Sequence, residues 1–172
     1  MRCFFCGIVL IAGFFSGSAQ AFELGMGFSA IEEGDDRFRP GILLDMSHGE
    51  TWRGRIFYYG RKYGPITERV VLVSAYRYLD VMKMFNNSFL RASVGGVVMN
   101  ERTELDFRED EDEVENNFNM GVVIGVHTYT RIGESFFIQG SMDSHIFLAG
   151  EGGLLMANGR KQMISLASGV VF

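Results

Sequence analysis

After Phe15 the 172-residue chain has no apolar run approaching the roughly 20 residues a membrane-crossing helix requires. It is also poor in cysteine: the two present, Cys3 and Cys6, both lie within the first six residues. Beyond them no disulfide framework and no thiolate metal site can form. The only prolines are Pro40 and Pro65, both where connections are expected. The three histidines, His48, His127 and His145, lie on separate segments. They cannot make the paired-histidine helix site of a zinc hydrolase. Glycine is plentiful instead, with 22 residues scattered through the apolar segments rather than gathered into a linker.

Residues 1–21 have the form of a removable export signal: Arg2, an apolar stretch from Phe4 to Phe15, and Ala19-Gln20-Ala21 fitting the small-x-small cleavage rule. This leaves 22–172 as a single domain. Eight segments of alternating polarity follow, near 22–31, 41–48, 51–62, 68–80, 87–100, 116–130, 134–149 and 161–172. Short connections (48–50, 82–86, 131–133) alternate with mostly longer ones (32–40, 63–67, 101–115, 150–160). An even count of strands, with both ends on one side, predicts an all-β, antiparallel, up-and-down transmembrane β-barrel of eight strands.

The alternation assigns two faces. Leu24, Met26, Phe28, Ile42, Leu44, Trp52, Ile56, Tyr58, Val70, Leu72, Tyr76, Tyr78, Val94, Val98, Phe118, Ile124, Phe136, Ile138, Met142 and Leu148 are among those expected toward lipid. Glu23, Asp45, Arg53, Arg55, Arg77, Arg91, His127, Asp143 and His145 are expected to form a polar network inside, with Arg61, Gln139 and Ser141 on the same face. Eight strands enclose a space just wide enough to fill with side chains. Charges so enclosed must be paired or hydrated. In the last strand Phe172, Val170, Leu166 and Ile164 share the greasy face.

The ending Ser165, Ala167, Val170, Phe172 resembles the C-terminal assembly signal of outer-membrane proteins, with Ala in place of the usual Gly. Together with the export signal and strand layout, the chain resembles small eight-stranded bacterial outer-membrane β-barrels of OmpA-transmembrane and OmpX-like architecture. That resemblance implies the outer membrane with both termini periplasmic. The partners it implies are membrane lipid, lipopolysaccharide and the barrel-assembly machinery, with no nucleic acid. It further implies an envelope-structural or surface-interaction role without catalysis and without a cofactor.

Two other functions are tested against the residues. Ser141, Asp143, His145 and His127 have the side chains of a hydrolytic triad. The first three form a ladder on one strand, and the two histidines are expected about 20 Å apart at roughly 3.4 Å per residue. Lipid A deacylases, which share the size, carry His-x-Ser, whereas Glu50, Tyr129 and Phe147 follow the histidines here. A narrow pore for small solutes is the remaining alternative. The loudest unassigned feature is 101–115, with nine acidic residues against Arg102 and Arg108. Within it Glu109, Asp110, Glu111 and Asp112 are candidate ligands for Ca²⁺ or Mg²⁺, though without the order of an EF-hand.

Overall fold

The computed structural model describes residues 22–33, 37–48, 51–105, 113–150, 153–154 and 159–172. Alternating side chains on long runs free of interior proline give the strands β1 (Phe22–Glu33), β2 (Arg37–His48), β3 (Trp52–Tyr63), β4 (Ile66–Phe85), β5 (Ser88–Leu105), β6 (Glu113–Ile132), β7 (Phe136–Gly150), β8 (Gly153–Leu154) and β9 (Arg160–Val171). Each pairs antiparallel with the next along β1 to β7, then β9 pairs with both β7 and β1. Eight strands thus close into an up-and-down barrel, and two-residue β8 is a side branch on β7. The closure is complete to the last residue. Phe172 N donates to Phe22 O at 2.8 Å, and the two rings lie 6.2 Å apart.

The register fixes the tilt. One circuit of paired residues runs Phe22, His48, Trp52, Arg77, Val94, Ile124, Ser144, Gln162. Gln162 precedes Met163, the partner of Ile31, and so is level with Glu32, ten residues beyond the start. A stagger of this size inclines eight strands by about 40–45°.

Inward-facing side chains fall into three layers, repeated strand by strand. From the end carrying Phe22 and Phe172, β3 presents Arg53 and Arg55, then Phe57 and Tyr59, then Arg61. On β4 the order is Tyr78, Tyr76 and Ser74, then Leu72 and Val70, then Glu68; on β9 it is Ser165, Met163, Lys161. Leu43, Phe57, Leu72, Met99, Phe147 and Met163 make the middle layer, each at most 1% exposed. The lumen is therefore polar, then dry, then charged, and less uniformly polar than its sequence predicts.

Two expectations are corrected. Val70, Leu72, Tyr76 and Tyr78 face the lumen rather than lipid, and all four are buried. Arg77 consequently stands outside. Both faces of β4 are apolar, so alternation alone does not choose between them. Pairing of Ser74 with Arg55 and of Tyr76 with Arg53 decides. The asymmetry of connection length also changes. Residues 63–67 reduce to a tight turn at Gly64-Pro65, with Gly64 at φ 58°. Residues 82–85 extend β4, and 101–105 and 113–115 extend β5 and β6. Strands of 20, 18 and 20 residues (β4, β5, β6) thus take in most of the expected short connection 82–86 and both ends of the expected long one at 101–115.

Candidate functional site

The polar layer nearest the termini is one connected network. Arg53 reaches Glu23 and the Gln139 carbonyl, and lies 3.5 Å from Asp45. Arg55 donates to Asp45 at 3.0 Å and Ser141 at 2.9 Å, and pairs with Asp143. Tyr129 OH donates to Glu23 at 2.6 Å, and Tyr78 OH to Gln139 at 3.1 Å. Arg91 lies over the rings of Tyr78, Phe89 and Tyr129 at 4.9–5.3 Å. Among the described side chains, three guanidiniums (Arg53, Arg55, Arg91) therefore share the layer with three carboxylates (Glu23, Asp45, Asp143). This balance is what a low-dielectric interior demands.

His127 sits where a catalytic reading would place its base. Its Nε2 lies 2.7 Å from Ser93 Oγ and 3.1 Å from Asp143 Oδ1. The arrangement is not that of a triad, because serine and carboxylate share one ring nitrogen. The other, Nδ1, faces Gln139 Nε2 at 3.2 Å. Gln139 Oε1 accepts from Arg53 and Tyr78, so its amide nitrogen must point at His127. An amide nitrogen only donates, so Nδ1 accepts and Nε2 of the neutral ring carries the proton. That nitrogen cannot withdraw a proton from Ser93. Ser93, His127 and Asp143 are also at most 2% exposed. Gly125 makes the arrangement possible: a Cβ there would lie 2.0 Å from Asp143 Oδ1.

Eight of the nine predicted lumen residues face inward; Arg77 does not. His145 is apart from the network, stacked on Phe147 (ring centroids 6.5 Å) beneath the apolar layer. It pairs with Val123, four residues from His127. The histidines are therefore separated by about 14 Å rather than 20 Å. Ser93, Tyr78 and Tyr129 bond into the network and Tyr76 joins it through its ring, 5.4 Å from the Arg55 guanidinium and 5.2 Å from the His127 ring; none of the four is among the expected members. Ser93 and Tyr129 share the faces of Arg91 and His127 and could have been found by parity; Tyr76 and Tyr78 could not, because they depend on the inverted β4. Of the tail, Ser165 and Ala167 face inward and buried, while Phe172 is exposed. Glu109 to Asp112 lie outside the described residues. Among the described residues no group of histidine, aspartate and glutamate could hold a metal ion.

The far rim, opposite the termini, is charged on both faces. Inside, Lys161 pairs with Glu101 and Arg39 with Glu68. Outside, Arg69 and Arg102 are direct cross-strand partners. They share a single carboxylate, Glu104, at 3.7 and 2.8 Å. Lys62, also outward, is paired to Thr67 on the next strand. Like charges placed opposite each other are unfavourable unless an anion joins them.

No protein-family model and no curated protein matches the sequence. Solved structures do. Ail, the attachment invasion locus protein of Yersinia pestis, is 12% identical with a TM-score of 0.59 over 90% of this chain and 100% of that one. The N-terminal β-barrel domain of Pseudomonas aeruginosa OprF is 14% identical with a TM-score of 0.54 over 91% and 100%. Neisserial surface protein A is 14% identical with a TM-score of 0.54 over 90% and 100%. The fold is that of the small eight-stranded barrels of bacterial outer membranes.

Proposed function

We propose that the chain is a non-catalytic outer-membrane barrel with an envelope-structural or surface-interaction role. In this reading residues 1–21 are removed on export, both termini are periplasmic, and the far rim meets the cell surface. The observation that carries it is the combination of an apolar outer wall with a lumen closed by its own side chains. The wall includes Met26, Phe28, Ile42, Ile124, Met142, Ile164 and Leu166, each at least half exposed. That surface would be costly in water and is suited to lipid. The terminal strand, hydrogen-bonded to β1, carries Ser165, Ala167, Val170 and Phe172, the residues that resemble an assembly signal.

At the far rim the partner of matching chemistry is a phosphate-bearing glycolipid. Lys62, Arg69 and Arg102 project outward on three adjacent strands with Glu104 as the nearby carboxylate. Guanidinium forks bind phosphate in two-point fashion, and the phosphates of lipopolysaccharide would add anions beside Glu104 for the three cations. Three measurements test the reading. An epitope inserted in 106–112 should be reached by antibody on intact Gram-negative cells; access only after permeabilisation would overturn the orientation. The triple variant K62Q/R69Q/R102Q should retain much less lipopolysaccharide on purification, in a salt-dependent manner, and equal retention would remove that partner. Lipid A mass spectra should be unchanged by the protein, whereas a modified species would return the enzyme alternative.

A further inference from the structure

Between the charged far rim and the terminal end, Arg77 is the one lysine, arginine, aspartate or glutamate at an outward-facing position among the described residues. Three steps round the tilted barrel, from Phe22 through His48 and Trp52 to Arg77, raise it about 9 Å above the level of the termini. This places its Cα inside the apolar band of the wall. No carboxylate among the described residues forms an ion pair with it. A bare guanidinium at that depth is unfavourable. It is relieved when the long side chain reaches back toward the interface and meets an anion there.

Its surroundings suit a lipid. Trp52 is the direct cross-strand partner of Arg77, is 43% exposed, and is the chain's single tryptophan. An indole of this kind belongs at the headgroup level. On the far side of the Trp52–Arg77–Val94 row lies a second row of paired residues, Gly54, Ala75 and Gly96. A Cβ added to Gly54 or Gly96 would meet nothing within 4 Å. Beyond it stands the row Ile56, Val73 and Val98. The wall therefore has a shallow trough about 7 Å from the bulky row on either side, opening beside a cation.

We propose that Trp52, Arg77 and the Gly54–Ala75–Gly96 trough bind one anionic phospholipid of the leaflet facing the termini. Arg77 takes the phosphate, Trp52 flanks the headgroup, and one acyl chain lies in the trough. The site rests on the membrane-barrel reading given above. A neighbouring barrel laid on the trough would cover the small residues but leave Arg77 without an anion, so lipid is the better occupant.

Trp52 supplies the probe. The purified chain is inserted into phosphatidylcholine vesicles, and its fluorescence is quenched by brominated phosphatidylglycerol or brominated phosphatidylcholine. The wild type should prefer the glycerol lipid about fivefold, the effect of one arginine at an anionic surface. R77Q should abolish the preference and R77K should keep part of it, while K83Q, altering an exposed cation on the same hairpin, should leave it intact. G96L, placed where a side chain meets open space, should weaken quenching by both lipids. Failure to insert would overturn the membrane-barrel reading and this site with it. Insertion with equal quenching by the two lipids, or a preference that survives R77Q, would overturn the site alone. Quenching that falls with increasing protein density would assign the trough to a second barrel.

Discussion

At the scale of single residues the lumen network is held by reciprocal charges, and its members are not separable. Arg55 joins Asp45 on β2 to Asp143 on β7, spanning the barrel. Replacing it with methionine leaves buried Asp143 without an arginine and Asp45 with Arg53 alone, which should cost about 3–5 kcal/mol. Urea unfolding of R55M in vesicles should show that loss, and D45N/D143N added to R55M should recover much of it. If the triple change only deepened the loss, packing rather than charge would be the cause. Gly125 is a sharper probe. G125A should push the Asp143 carboxylate away from His127 and Ser93 without removing any polar group, and destabilise by about 1–3 kcal/mol, the usual cost of overpacking.

At the scale of elements, β4 is where sequence and structure part. Its two apolar faces, Val70 and Leu72 against Val71 and Val73, are equally hydrophobic, so the period-two signal does not orient them. Arg77 pulls the reading one way, but the pairing partners Arg53 and Arg55 turn Tyr76 and Ser74 inward. A cysteine at Val73 should react with a lipid-soluble maleimide, and one at Leu72 should not. The reverse pattern would restore the other face. By contrast β9 was legible throughout. Its greasy face holds Ile164, Leu166 and Phe172, and its inner face Met163, Ser165 and Ala167, an alternation with one solution.

At the scale of the whole molecule the consequential feature is the dry layer between two charged ones. Phe57, Leu72, Met99 and Phe147, all buried, narrow the lumen between the two charged layers. Ions entering from either end meet a charged layer and then an apolar constriction, which gates by excluding water. Planar-bilayer recordings should show no steady conductance for the wild type. F57S/F147S, wetting the band, should raise it. A stepwise conductance in the unmodified protein would reinstate the pore. Period-two alternation and the turn residues determined the number of strands, their antiparallel order and most of their facing, because each is a local property of a chain whose side chains point alternately to opposite sides. Register was decided only by closure. It set the face of β4 and left Arg77 in the outer wall. Each depends on which residue of a neighbouring strand, far along the chain, stands opposite, and no local pattern carries that information.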